Sequence, residues 1–509
     1  MRLIRTYIPA ISIALFMCFI LYAIYPHYQY YVDPDGTAYL TISQRYANAD
    51  YLNAINGYWS PWACWLTAVV IKMGIAAIPA SIFINTLGAI CFVIISQSFF
   101  LKFNVTAKLQ WLLCGTLCLF LCYAVFWQSF DDLWESFFLL STLRIILADN
   151  FTGRPALWVS CGLVGTLAYF AKAYAIPFYI LNTTVCTYLI CRHNKIQWLK
   201  ISTISISILI LCSMPWIILL HNKYGIWTTS TAGPLNMSWY LVGHPYWRAG
   251  INLLIPPPYN QSIYYWEDPY VANGITPHFW DSWHLFGLQL LRAGYNLFKL
   301  LRSIVQLSIL FPAIAFIALL SLRSKLCPLN QKVLITSCLL FPLGYVLINF
   351  ESRYLWYIVP PAMVVAGIFL ENLKPARWRV ALYILFSLTF LFYPAYCMIE
   401  MYDEGLREYK IAAQLYKENI RGSFTAIAST GIEAQRMARL AYFSGNPLYN
   451  IPSQNIISER LVQDMKRCHV HYFYSFRLAD KDNNAALQEN FIEVAKGRIT
   501  GIRIFIVKP

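Results

Sequence analysis

The sequence predicts an all-α polytopic membrane protein of about eleven transmembrane helices, followed by a small C-terminal soluble α/β domain. Three observations carry this expectation. Hydrophobic residues are 58% of the 509 and charged residues only 12%, against roughly half and a quarter in soluble domains. Apolar runs of about 20 residues recur, the length that crosses a hydrocarbon core. Lys and Arg cluster in short stretches between these runs, as cytoplasmic loops do.

In order, the first run, Ile8 to Ile24, follows Arg2 and Arg5 and lacks a small-x-small cleavage site, so it reads as an uncleaved first helix. An outer loop over residues 26–80 comes next. Within it Trp62–Met73 is too short to span; flanked by Pro61 and Pro79 and rich in aromatics, it reads as an interfacial helix. Spans then follow at about 81–101, 109–127, 132–148, 157–170, 175–191 and 199–220. A second outer loop runs from 221 to 295, and spans resume at 297–321, 332–350, 354–371 and 379–398. With this count every strongly basic short loop lies on one side, which orients the chain. Residues 1–400 form the membrane domain. Beyond it, Glu404–Ile420 reads as an amphipathic helix, and Ser423–Ser429, His469–Tyr474 and Ile502–Val507 as strands, making 401–509 a tail domain on the outer face.

The formal charge of +15 comes from these dispersed basic loops, which argues for membrane lipids and against nucleic acid as the partner. Most of the fourteen cysteines, Cys91, Cys114, Cys118, Cys122, Cys186 and Cys212 among them, lie within apolar runs without CxxC pairing and read as buried small hydrophobes. Nucleotide P-loops, HExxH, GxSxG and dinucleotide glycine motifs are absent.

The assigned topology gathers the unusual polar groups on one side, where ionisable residues beside apolar spans are candidates for function. Asp33 and Asp35, in Asp33-Pro34-Asp35-Gly36-Thr37-Ala38-Tyr39, fit a simple turn. They also fit a general base or a pair of ligands for a divalent cation, and Tyr39 and Trp59 give them an aromatic setting. Asp132 with Glu135 has the pattern of a helix-start cap, and a catalytic role is compatible with capping. Lys172, between two apolar helices, is either a snorkelling lysine or a contact for an anionic phosphate. Arg353 either pairs with Glu351 or forks onto the same phosphate. Glu267 and Asp268 stand in the aromatic-rich second loop, a composition suited to binding sugar and equally to anchoring at an interface. The histidines of that loop lack metal-ligand spacing.

In their order, these motifs resemble the GT-C superfamily of integral-membrane glycosyltransferases, in particular the branch of aminoarabinose lipid A transferases and protein O-mannosyltransferases. The acidic motif after helix 1 matches Asp35 through Tyr39. A second Asp before a Phe-Phe helix matches Asp132 with Phe137 and Phe138, a Lys segment matches Ala171-Lys172-Ala173, and an Arg-Tyr matches Arg353-Tyr354. Departures stand at Gly36, Ala38 and Trp59-Ser60-Pro61, where the family carries an acid, an arginine and Lys-Pro-Pro. The resemblance implies transfer of a sugar from a polyprenyl-phosphate donor to a hydroxyl of a glycan, lipid or protein, at the periplasmic face of a bacterial inner membrane. Asp35 and Asp132 would be catalytic. Asp33, Lys172, Arg353, Tyr39, Trp59, Glu267 and Asp268 would bind substrate, with or without a divalent cation. A transporter of lipid-linked oligosaccharide would instead need paired broken helices and mid-membrane charges, and a membrane scaffold would place its function in the tail.

Overall fold

The computed structural model describes residues 6–127, 131–242, 254–271, 277–373, 375–426, 431–449, 459–476 and 489–508. Within them the chain is mostly helical. Helix α1 (Ile8–Tyr28) turns an apolar face outward, with Leu15 and Phe19 each 67% exposed, as a lipid-facing span does. The 26–80 loop is itself built of helices. Asp33 caps α2 (Pro34–Ala47), accepting a hydrogen bond from the Gly36 N–H at 2.6 Å, and Pro34 occupies the first turn, where its missing N–H costs nothing. Ten of the 14 residues of α2 are buried. The segment expected at the interface is the 12-residue α3 (Pro61–Lys72), which packs on α2.

Then come α4 (Ala77–Lys102), α5 (Ala107–Phe126), α6 (Asp132–Ile146), α7 (Pro155–Ala171), α8 (Ala175–Ile190) and α9 (Lys195–Tyr224). Helices α7 and α9 approach closely at Gly162, where a Cβ would overlap the Ser205 carbonyl and the Ile208 side chain; such small residues let membrane helices touch backbone to backbone.

The second loop and the span after it differ from expectation. A helix, α10 (Ala232–Val242), lies within the loop, and α11 (Trp283–Leu307) begins well before residue 295. The span expected over 297–321 is broken: α11 and α12 (Phe311–Arg323) meet at 110°. Pro312 starts α12, and the Ser308 hydroxyl caps the Leu310 N–H at 3.2 Å, so the chain restarts there instead of continuing. Helix α11 is inside-out. Its polar residues Gln289, Asn296 and Ser303 are buried, whereas Leu290, Leu291, Leu297, Phe298 and Leu301 are exposed.

The membrane part closes with α13 (Leu329–Leu340), α14 (Leu343–Ile348), a 3₁₀ turn at Ser352–Ile358, α15 (Val359–Glu371) and α16 (Ala376–Met401). A helix thus stands at each of the eleven expected positions, but among the described residues only seven are long and apolar enough to cross a membrane, or eight counting the bent pair. Helices α6, α7 and α8 have 15, 17 and 16 residues, which at 1.5 Å per residue reach about 22–26 Å, short of a ~30 Å hydrocarbon core.

The tail holds α17 (Leu406–Lys417), β1 (Phe424–Ala426), α18 (Gly431–Ser444), α19 (Glu459–Arg467), β2 (Tyr472–Ser475), β3 (Phe491–Glu493) and β4 (Arg503–Val507). The sheet order is β1-β2-β4-β3, with β1 parallel to β2 and the other pairs antiparallel. The expected strand over 423–429 is described only to Ala426. The tail packs on the membrane part: α18 touches α2, and Tyr30 packs against Tyr409 and Phe443; within the tail, Arg439, 1% exposed, pairs with Glu404. At Gly405 the backbone is left-handed (φ 86°), and a Cβ would collide with the Tyr30 carbonyl.

Candidate active site

The ends of several helices and the loops between them meet around a cavity of about 390 Å³. Capping by Asp33 puts Asp35 in the first turn of α2, where the helix dipole favours its charge. The Asp35 carboxylate is held on both oxygens. Oδ1 accepts from the Trp266 indole Nε1 at 3.0 Å, and Oδ2 accepts from Arg353 Nη2 at 3.1 Å. Arg353, in the 3₁₀ turn before α15, also sets Nε 2.9 Å from Glu351 Oε2 and 3.4 Å from Asp132 Oδ2. Asp132, in the first turn of α6, is 1% exposed and takes the Lys172 ammonium on its other oxygen. Lys172 caps the end of α7, lies 3.5 Å from Asp131, and sits over the Tyr354 ring at 4.3 Å. Asp35, Arg353, Asp132 and Lys172 thus form a continuous alternating chain of charge, although Asp35 and Arg353 are 318 residues apart.

The sequence therefore brings Asp35, Lys172, Arg353 and Trp59 to the lining of one cavity, with Asp132 directly behind the two cations. The other expected residues stand elsewhere. Asp33 spends its carboxylate on the α2 cap. It retains some accessible surface yet is packed deep in the protein, and burial, with the Asp35 carboxylate beside it, pushes it up to about 8. Tyr39 is 2% exposed and packs its ring 5.1 Å from Trp59.

Glu267 and Asp268 do not line the cavity. Glu267 is tied to Arg45 at 3.0 Å and to the Ile263 N–H; burial raises its carboxyl above the ordinary range while Arg45 pulls it down. Asp268, wholly buried, accepts from Tyr224 at 2.7 Å and from Tyr259, with Lys223 3.4 Å away. The expectation of direct sugar contact came from acids in an aromatic loop; their partners are the protein's own cations and phenols.

The aromatic wall consists of Tyr58, Trp59, Trp239, Tyr240 and Trp266, with Trp239 and Trp266 centred 5.0 Å apart and Tyr58 and Trp266 5.3 Å apart. Faces of this kind beside carboxylates suit a sugar ring. Of the pair read as candidate cation ligands, Asp33 accepts from the Gly36 N–H and Asp35 from Trp266 and Arg353. Among the described residues no group of three or more His, Cys, Asp or Glu is arranged to hold a metal ion.

Three residues escaped the sequence reading. Trp266 was overshadowed by its acidic neighbours. Arg292 and Lys299 come from the polar seam of α11, where Gln289, Arg292, Asn296, Lys299 and Ser303 recur at alternating steps of three and four, a helical signal hidden inside an apolar stretch. Arg292 Nη2 lies 2.9 Å and Lys299 Nζ 3.3 Å from the Asn349 amide oxygen, and Arg292 stacks 3.9 Å above the Tyr240 ring. Asn349 and Tyr240 both line the cavity, so these cations stand at its edge, among the described residues without a carboxylate within ion-pair distance.

No family model matches the sequence, and no curated protein matches it. Solved structures do. ArnT from Cupriavidus metallidurans bound to undecaprenyl phosphate superposes with a TM-score of 0.56 at 12% identity, covering 97% of this chain and 97% of that one. The apo state of the same protein gives 0.57 at 12%, covering 97% and 96%. Identity this low speaks for fold alone. In fold, the chain is similar over nearly its whole length to ArnT, an aminoarabinose lipid A transferase of the GT-C glycosyltransferases, the branch that its motifs resemble.

Proposed function

We propose that this protein is an inverting glycosyltransferase that moves a sugar from a polyprenyl-phosphate donor to an acceptor hydroxyl at the periplasmic face of a bacterial inner membrane. The observation that carries the reading is the convergence of Asp35, Arg353 and Lys172, linked through Asp132 behind them, on one cavity with an aromatic wall. Two further supports are the likeness in fold to ArnT, one structure of which is bound to undecaprenyl phosphate, and the lipid-facing exterior of α11 beside the cavity.

Asp35, whose side chain is 27% exposed, accepts the proton of the attacking hydroxyl. The hydroxyl oxygen bonds to the anomeric carbon as the bond from that carbon to the phosphate oxygen breaks, and the polyprenyl phosphate leaves with the electron pair. Fixed cations placed where that negative charge develops lower the barrier. Lys172 and Arg353 face the cavity but are already matched by Asp132, Asp131, Glu351 and Asp35. Arg292 and Lys299 donate to an amide oxygen and, among the described residues, to no carboxylate at ion-pair distance, so they have charge to add and the donor phosphate lies between the two cation pairs. Asp132 acts by holding Lys172 and Arg353 in place.

The test is Asp35→Asn, which preserves shape and removes the base. Transfer from undecaprenyl-phosphate-linked sugars, offered in turn to purified protein with bacterial lipid and glycan acceptors, is expected to disappear while melting in detergent stays unchanged. Near-normal transfer by this variant removes Asp35 from the mechanism.

A further inference from the structure

Trp266 lies in a short 3₁₀ turn, Tyr265–Glu267, in a loop more than 200 residues from α2. Yet this loop is fastened to α2 along its length. The Tyr264 hydroxyl donates to the Pro34 carbonyl at the start of the helix, the Trp266 indole N–H donates to Asp35, and Glu267 receives Arg45 ten residues further along. The turn is also held from behind. The Trp266 carbonyl accepts from Trp59 Nε1 at 2.8 Å and the Glu267 carbonyl from Asn56 Nδ2 at 2.6 Å. Asp268 is locked by Tyr224, Tyr259 and Lys223.

Burying two carboxylates is costly unless each is paired, and a surface loop needs neither. What this arrangement achieves is a rigid indole N–H aimed at one oxygen of Asp35. An indole is a donor only, so Trp266 takes up one oxygen and leaves the carboxylate with a single orientation. Arg353 alone, shared among three acids, would leave it free to turn.

We propose that Trp266 is a positioning residue that orients Asp35 through its indole N–H, and that Glu267 and Asp268 serve to anchor the Trp266 turn rather than to touch substrate. The inference rests on Asp35 being the base, as argued above.

The closing experiment compares Trp266→Phe, Glu267→Gln and Asp35→Asn as full-length protein in lipid nanodiscs. Transfer is followed with undecaprenyl-phosphate-linked sugar, and binding of undecaprenyl phosphate alone by native mass spectrometry. Trp266→Phe keeps an aromatic face and loses the donor. Its kcat is expected to fall about tenfold, with KM for donor and binding of undecaprenyl phosphate unchanged; Glu267→Gln should lower kcat two- to threefold with the same split. A rise in KM at constant kcat for either variant would mean that the loop grips substrate, and overturns the proposal. Wild-type kcat in Trp266→Phe, alongside an inactive Asp35→Asn, overturns the positioning role while leaving the base intact. An active Asp35→Asn sinks both. Should Trp266→Phe fold poorly, Glu267→Gln decides between the same two splits.

Discussion

Asp132 is the centre of the charge chain, and its removal gives the most quantitative test of the site. Its side chain is 2% exposed and contacts both Lys172 and Arg353. Removing one partner of a buried ion pair costs about 3–5 kcal/mol because a buried charge is left behind. Here Lys172 keeps Asp131 at 3.5 Å and Arg353 keeps Glu351 at 2.9 Å, so Asp132→Asn should fall at the low end, about 3 kcal/mol. With an unfolding entropy of about 2.1 cal/mol/K per residue, a chain of this size loses about 3 °C in Tm. Lys172→Met should cost a similar amount by stranding Asp132. The double variant strands neither, and the coupling between contacting charges is about 1–3 kcal/mol. The four proteins are to be melted side by side in one detergent. Strictly additive losses would show that the two side chains do not interact, and the charge chain would be broken at its middle link.

Three other outcomes follow from the geometry. Arg292→Met, and more so Arg292→Met with Lys299→Met, should raise KM for the donor at least tenfold with less effect on kcat, measured by initial rates; unchanged KM would place the donor phosphate elsewhere. Because the native fold raises Asp33 to about 8, the folded protein holds a proton that the unfolded chain gives up above about pH 4. Its contribution is therefore fully present below pH 4 and is lost as pH rises through 8. Melting temperature should decline across that window, and Asp33→Asn, which keeps the cap, should flatten the decline. Gly405→Ala adds a Cβ at φ 86° against the Tyr30 carbonyl and should cost about 1–3 kcal/mol, seen as accelerated proteolysis of the tail.

How much of this was legible beforehand depends on the kind of signal. Asp35, Asp132, Lys172 and Arg353 could be named from the sequence because charge is rare in this chain and each sits at the end of an apolar run. Sidedness then implied that they meet. The first of the tail's three described helices and its first, second and last strands could be read because a change of composition marks the boundary. Trp266 could not be singled out, since among seventeen tryptophans only tertiary contact tells which one meets a carboxylate. Glu267 and Asp268 were legible as unusual, but not their ties to Arg45, Tyr224 and Lys223, which belong to other helices. The break at Ser308 was written in Pro312, yet a window that averages hydropathy over 20 residues passes across it. Asp33-Pro34 marks a helix start as readily as a turn, and the buried α2 after it decided between them.

The inside-out character of α11 also bears on how the protein can be handled. Its flank, with Trp283 89% and Leu291 72% exposed, forms with its neighbours a greasy strip of the sort that soluble monomers rarely leave bare. Stripping away lipid or using too little detergent will uncover this strip, beside Arg292 and Lys299 at the edge of the cavity, and molecules will stick to one another there. Clumping on delipidation should therefore obstruct the mouth of the cavity while the tail still holds its structure.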